Sequence, residues 1–165
     1  MSSFTTYFKD ALIEELRERN SIEFRTEEIE YSGGEYKIRF DGYGETKAGL
    51  VILEIELRRE DPINNLVKTL YWLSRKIRQK KTIMFQIYDK THYEKPKNRY
   101  KKDFTLFLAK RCHFLHKNLN DFFYVPLDVE INHLWFRRND KVAAHETART
   151  VAEGLTRRIK YFLAN

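Results

Sequence analysis

The 165-residue sequence has one cysteine, three prolines and six glycines, and each scarcity narrows the possibilities. A single cysteine, Cys112, cannot form a disulfide within the chain, which excludes a small disulfide-stapled domain. The few prolines leave no room for a Pro-rich linker, and no stretch is apolar for the length of a membrane span. The N-terminal residues have neither the basic start nor the apolar run of a signal peptide, so the expected location is the reducing cytoplasm, away from the membrane.

Hydrophobic residues make up 42% of the sequence and aromatic residues 15%, which is enough for the core of a single domain over residues 1–165. The net charge of +7 is unevenly distributed. Residues 1–61 contain fifteen acids and nine Lys or Arg, whereas residues 62–165 contain nine acids and twenty-two. A basic surface attracts polyanions, of which nucleic acid is the commonest, although it can also serve only to keep a protein soluble.

Hydrophobic periodicity predicts alternating helices and strands. A helix is expected from Phe4 to about Arg19, followed by two β-rich runs around the hairpin signal Ser32-Gly33-Gly34, the second ending at Asp41. The next expected elements are a strand over 50–57, a helix opened by Asp61 and Pro62, a buried strand over 82–89, a basic loop over 88–102, a helix over 103–119, a strand over 122–131 and a helix over about 140–163. This order predicts a mixed α/β sheet with helices on both faces.

Two glutamates occupy the centre of the apolar strand 50–57. Alternate residues of a strand share a face, so Glu54 and Glu56 project together, while Val51, Leu53 and Ile55 project to the other side. Two carboxylates held side by side in apolar surroundings require a nearby cation. That cation can be a metal ion or a neighbouring arginine.

The order of these elements, with Asp41 after the second strand and Glu54-Ile55-Glu56 in the third, resembles the PD-(D/E)xK nuclease superfamily. The resemblance implies a restriction-endonuclease-like core of helix, three strands, helix and strand, here extended by a C-terminal helix, strand and long helix. Glu56 stands where the family usually has a lysine that orients the attacking water. Glu15 matches the glutamate that the family often carries on its first helix.

In this hypothesis Asp41 and Glu54 bind Mg²⁺ or Mn²⁺, and the Ile55 carbonyl adds a ligand. Glu56 accepts a proton from the attacking water, and Glu15 holds a metal-bound water. The missing positive charge is expected from Lys37, Arg39 or Arg58, which share strand parity with the acids. Two alternatives stay open: a solvated strand face on which the glutamates pair with Arg39 and Arg58, and a degenerate nuclease fold without catalysis.

Nucleic-acid contacts are expected mainly from basic side chains. The expected set is Lys37, Arg39, Arg58, Lys68, Lys90, Tyr93, Lys95, Lys97, Arg99, Arg137 and Arg138. Within 88–102, tyrosines alternate with lysines in a pattern that suits phosphate contacts and base stacking, or simply an exposed loop. Cys112 is expected to be a buried structural residue, and Trp72 is expected opposite the buried face of its helix.

The sequence therefore predicts a metal-dependent nuclease that hydrolyses phosphodiester bonds in DNA. Cutting both strands of a duplex would require a homodimer. Two alternatives belong to other functional classes. One is a noncatalytic nucleic-acid-binding module, and the other is an interaction protein that docks through its charge polarity.

Overall fold

The protein is an α/β structure with a mixed sheet, as predicted, and the main sheet has four strands. The computed structural model describes residues 3–26, 28–30, 37–58, 61–75, 80–115 and 119–164. The strands are β1 (Glu28–Glu30), β2 (Lys37–Arg39), β3 (Gly42–Glu45), β4 (Leu50–Glu56), β5 (Thr82–Asp89) and β6 (Phe122–Val129). The main sheet has the order β3-β4-β5-β6, in which β3 is antiparallel to β4 and the other neighbours are parallel. β1 and β2 form a separate antiparallel pair.

Helices cover both faces of the sheet. They are α1 (Phe4–Arg19), α2 (Pro62–Ser74), α3 (Lys90–Tyr93), α4 (Pro96–Ala109), α5 (His133–Arg138) and α6 (Lys141–Ala164), with a short 3-10 turn at Cys112–Phe114. The predicted positions of α1, α2 and α6 agree with the structure to within a few residues. Among the described helices, none combines the length and the apolar character needed to cross a bilayer.

The sheet face under α1 and α6 is a continuous apolar core. Strand alternation sends Val51, Leu53 and Ile55 of β4 to this face, as predicted. The helical residues that meet them share an apolar spacing of three and four: Phe4, Phe8, Leu12 and Leu16 on α1, and Ala144, Ala148, Ala152, Leu155 and Ile159 on α6. The alanines of α6 let the two helices approach each other closely. This face supplies most of the apolar burial.

The opposite face, under α2 and α4, combines apolar with polar residues. Leu50, Ile52 and Met84 pack against Leu66, Leu70 and Trp72 of α2. The prediction that Trp72 lies opposite the buried face is wrong, because its ring is buried edge-on against Phe40 with the ring centroids 5.5 Å apart. The prediction of a buried structural Cys112 is confirmed.

The second predicted strand ends at Asp41, as expected, but a further strand, β3, follows that was not predicted. β1 pairs with β2, which confirms the predicted hairpin, but the Ser32-Gly33-Gly34 turn lies outside the described residues. The chain then bends and continues as β3 beside β4. Ile13 of α1 occupies the position that a side chain at Gly42 would need, so this glycine lets α1 approach the start of β3. Asp41 is thereby fixed at the junction of β2 and β3.

The predicted loop over residues 88–102 is wrong. β5 continues to Asp89, whose carboxylate accepts a hydrogen bond from the Thr91 N–H at 3.0 Å and caps α3. Pro96 then occupies the first turn of α4, where its missing N–H costs nothing. The lysines that suggested an irregular basic loop are also good helix formers.

We expect Gly154→Ala to raise the free energy of unfolding by about 0.5–1 kcal/mol, as measured by urea denaturation. A methyl group at this position of α6 would meet no atom within 4 Å, so the gain in helix propensity carries no steric cost. Gly49→Ala is the matched control and should lower the same quantity, because its methyl would lie 2.8 Å from the Lys81 carbonyl oxygen. A destabilised Gly154→Ala protein would contradict this packing of α6.

Candidate functional site

Asp41 and Glu54 face each other across the junction of β3 and β4. Gly42 pairs with Leu53, so one further step in the antiparallel register places Asp41 opposite Glu54. The Asp41 carboxylate accepts a hydrogen bond from the Ile55 N–H at 2.9 Å. Because the N–H and C=O of a strand residue point to the same side, the Ile55 carbonyl is directed toward the same junction. The expected ligand set of Asp41, Glu54 and Ile55 is therefore brought together.

Glu54 is buried, and its cationic partner is Lys68 of α2. The Lys68 ammonium lies 2.8 Å from Glu54 Oε1, within the distance of an ion pair. The same ammonium donates a hydrogen bond to the Arg39 carbonyl at 2.8 Å and lies 5.5 Å from the centroid of the Phe40 ring. The positive charge expected from an arginine or Lys37 is therefore supplied by a lysine of the helix above the strand.

The Glu54 carboxyl holds its proton more tightly than an ordinary carboxyl. Its pKa is raised from 4.5 to about 8, chiefly by burial; the attraction of Lys68 lowers the pKa, and the charges of Asp41 and Glu56 raise it. On the other side, Lys9 of α1 lies 3.7 Å from Asp41 Oδ1. Two lysines thus flank two carboxylates, of which Asp41 is partly accessible to solvent.

Glu56 lies one strand alternation beyond Glu54 and is fully enclosed. Its Oε1 accepts a hydrogen bond from the side-chain amide of Asn65, one helical turn before Lys68 on α2. Asn65 and Lys68 therefore face the two glutamates from the same side of one helix. This spacing is visible in the sequence, but Lys68 was expected only to contact nucleic acid and Asn65 had no expected role.

A buried polar layer continues from the glutamates across β5 and β6. Gln86, beside Glu54 in the parallel register, donates to the Pro62 carbonyl at 2.6 Å and accepts from the Tyr124 hydroxyl at 2.8 Å. Tyr88 and Tyr124 share a hydrogen bond of 2.7 Å. Burial raises the pKa of both phenols, so they remain neutral and act as hydrogen-bonding groups.

Glu15 occupies a different place from the one expected. It pairs with Arg19 at 2.8 Å on α1 and lies 3.9 Å from Arg149 on α6. These partners belong to the helices on the opposite face of the sheet from Glu54, and the described contacts do not bring Glu15 to Asp41 or Glu54. The expectation that Glu15 holds a metal-bound water is therefore corrected, because its carboxylate contacts Arg19 and Arg149 instead.

Arg58 pairs with Asp89 rather than with Glu56. Its Nε donates to Asp89 Oδ2 at 2.6 Å, its Nη1 lies 3.2 Å from His133 Nδ1, and its guanidinium stacks 3.9 Å above the Phe136 ring. This cluster joins the carboxyl ends of β4 and β5 to α5. The alternative in which Arg39 and Arg58 neutralise the glutamates on a solvated face is therefore wrong, since both glutamates are buried and Lys68 and Asn65 contact them.

The other expected nucleic-acid contacts lie on several surfaces. Lys90, Lys95, Lys97, Arg99, Arg137, Arg138 and Arg39 are exposed, with Arg99 lying 3.7 Å from Asp103, while the side chain of Lys37 is outside the described residues. Tyr93 is buried and packs edge-on against Tyr88 at 5.0 Å. Its expected role in base stacking is corrected, because its ring is not accessible to a base.

Two carboxylates, rather than three or more, form the candidate metal ligands. Within the described ranges, no group of at least three His, Cys, Asp or Glu side chains is arranged to hold a metal ion. Mg²⁺ retains several waters and usually takes one or two protein carboxylates, so Asp41, Glu54 and the Ile55 carbonyl fit its chemistry.

Comparisons with protein-family models, curated proteins and solved structures found no match. The chemistry of this chain is therefore inferred from the contacts, burial and charges of its own residues.

We expect Glu54→Gln to become more stable relative to the wild type as the pH rises from about 5 to 8. The folded-state pKa of Glu54, about 8, lies above the ordinary value of 4.5. The folded protein therefore binds more protons than the unfolded chain within this window, and the contribution of Glu54 to stability falls as the pH rises. Urea denaturation of both proteins across the window measures the difference. A difference that does not vary with pH would contradict the raised pKa.

Proposed function

We propose that the protein is a metal-dependent nuclease that hydrolyses phosphodiester bonds in DNA, on a restriction-endonuclease-like core of the PD-(D/E)xK type. The observation that carries this proposal is the cross-strand pair of Asp41 and Glu54 with Lys68 held against it. Two acids and a lysine at the junction of two strands are the functional groups that this chemistry requires. In this chain the lysine comes from α2 instead of β4.

Asp41 and Glu54 would hold Mg²⁺ or Mn²⁺, together with the Ile55 carbonyl. Bound there, the ion neutralises charge on the phosphate oxygens and lowers the pKa of a bound water. The raised pKa of Glu54 supports this placement, because burial is its main cause and a bound cation would stabilise the buried carboxylate. Asp41 is the more accessible of the two carboxylates and gives an ion a route to the pair.

Lys68 is the residue we propose to orient the attacking water, in place of the family lysine. Its ammonium lies against Glu54, on the side of the pair opposite Lys9. Glu56 is the less suitable proton acceptor, because it is enclosed and holds the Asn65 amide. Its charge instead raises the pKa of Glu54. Lys9 is placed to attract a phosphate toward Asp41.

DNA is the proposed substrate because the chain is strongly basic after residue 61 and carries exposed lysines and arginines on α3, α4 and α5. Asp41 and Glu54 provide one candidate metal site in each copy of the chain. A homodimer is therefore the proposed form for cutting both strands of a duplex.

We expect Glu54→Ala and Lys68→Met to abolish Mn²⁺-dependent cleavage of DNA or to slow it by about 10²–10⁴-fold. Both proteins should still bind DNA in EDTA. Glu15→Gln is the matched control and should cleave at the wild-type rate, since Glu15 contacts arginines on the other face of the sheet. Gel assays on a supercoiled plasmid measure the cleavage rate. If the wild-type protein binds DNA but never cuts DNA or RNA, the nuclease proposal is contradicted and the noncatalytic nucleic-acid-binding module is favoured.

Binding of Mg²⁺ at neutral pH is expected to release close to one proton. With a pKa of about 8, Glu54 is mostly protonated at this pH and must lose its proton to become a ligand. Isothermal titration calorimetry in buffers of different ionisation enthalpy measures the proton count. Lys68→Met should retain the release, because Lys68 lowers the Glu54 pKa, whereas Glu54→Gln should lose it. Equal proton release from wild type and Glu54→Gln would contradict the assignment of Glu54 as a ligand.

A further inference from the structure

The outer surface of α4 carries a row of exposed aromatic rings. Tyr100, Phe104 and Phe107 are 64%, 57% and 50% exposed, and their spacing of four and three residues places them on one side of the helix. Single exposed apolar side chains need no explanation, but a contiguous aromatic row on one helix indicates a contact surface. None of these rings belongs to the site formed by Asp41, Glu54 and Lys68.

Two rings of this row, Phe104 and Phe107, form a stack of flat groups with Arg111. Phe104 and Phe107 are nearly parallel, with an angle of 16° between their planes and 6.4 Å between their centroids. The guanidinium of Arg111 lies 4.0 Å from the centroid of the Phe107 ring and continues the stack. Flat groups in this arrangement suit the faces of nucleobases, which stack on aromatic rings and on arginine without regard to sequence.

The charge around the rings favours a polyanion. Residues 95–115 contain seven Lys or Arg and one acid, Asp103, which gives a net charge of +6. Asp103 lies 3.7 Å from Arg99 and is partly neutralised. A second copy of this chain docked through the same surface would bring two such charges together, which disfavours that occupant.

The aromatic surface is continuous with the candidate active site through α2. Lys68, Tyr71 and Arg75 follow one another at intervals of three and four residues on that helix, and the Arg75 guanidinium lies 5.3 Å from the centroid of the Tyr71 ring. Tyr71 and Leu108 of α4 line the same groove, which has a volume of about 340 Å³. Tyr71 therefore lies beside α4 and one helical turn after Lys68. We name the surface formed by Tyr71, Arg75, Tyr100, Phe104, Phe107 and Arg111 the α2–α4 face.

We propose that the α2–α4 face binds unpaired nucleotides, so that the substrate has a single-stranded segment next to the bond that is cut. Bases stack on Tyr71 and on the two ends of the stack that Phe107 holds together, Phe104 and Arg111, and the surrounding lysines and arginines contact the phosphates. The identification of the strand as a substrate rests on the proposed nuclease function. The binding itself does not require turnover and is measured without a metal ion.

Fluorescence anisotropy in EDTA with two oligonucleotides of equal length tests this proposal. A thymidine oligonucleotide has phosphates and bases, whereas an abasic oligonucleotide has the same charge and no bases. We expect the wild type to bind the thymidine strand more tightly. Phe107→Leu, which keeps an apolar side chain but removes the flat ring, should weaken binding of the thymidine strand by about 5- to 150-fold. It should leave binding of the abasic strand unchanged.

Three control variants separate stacking from charge and from unrelated surface changes. Phe107→Tyr should retain the preference for bases. Lys97→Gln should weaken binding of both oligonucleotides by the same factor, because it removes a phosphate contact. Tyr161→Ala removes an exposed ring from α6, away from the α2–α4 face, and should change neither affinity.

Equal affinity of the wild type for both oligonucleotides, or an unaffected Phe107→Leu protein, would overturn the proposal. A dimer in sedimentation that only Phe107→Leu dissociates would also overturn the proposal, because the face would then bind a second copy of the chain. The same holds if Phe107→Leu weakens binding to phosphatidylglycerol vesicles but not to the thymidine strand. These results are independent of the cleavage assays. If the wild type prefers the thymidine strand but never cleaves a substrate, the proposed role of the α2–α4 face stands and the proposed nuclease activity is rejected.

Discussion

The burial of two glutamates on one face of the central strand β4 is the constraint on which the rest of this structure depends. An isolated carboxylate in apolar surroundings costs several kcal/mol, so each glutamate must find a partner within the fold. Helix α2 supplies both partners, with Lys68 against Glu54 and Asn65 against Glu56. Because these residues are one turn apart, a single helix orientation gives each carboxyl group a partner. The polar contacts of Gln86 with Pro62 and Tyr124 then fix the first turn of α2 to the sheet.

The two faces of the sheet therefore differ in composition and in role. The face under α1 and α6 is apolar and well packed, so it can provide the stability that the polar face lacks. The face under α2 and α4 carries the charged and hydrogen-bonded residues. Asp41 connects the two, since it contacts Lys9 of α1 and lies opposite Glu54 of β4. An arrangement of this kind lets an electrostatically unfavourable site persist within a stable domain.

Local sequence patterns predicted the elements better than they predicted the contacts between them. The limits of β5, the alternation of β4 and the long helix α6 follow from periodicity alone, and they agree with the structure. The burial of Trp72 and the pairing of Lys68 with Glu54 depend on the rotation of α2 about its axis, which is set by residues distant in the sequence. Glu15 shows the same limit: its spacing placed it on the buried side of α1, but two arginines compete for its charge.

The orientation of α2 also explains why apolar residues of this helix face the solvent. Successive residues of a helix are about 100° apart, so turning Asn65, Lys68 and Thr69 toward the sheet forces Val67 and Tyr71 outward. A helix with only an apolar requirement would bury Val67 in place of Asn65. The exposed side chains of α2 are therefore a consequence of the pairing of the glutamates. Tyr71 lies one turn after Lys68 and lines a groove with Leu108, so α2 connects the buried acids to the side of α4.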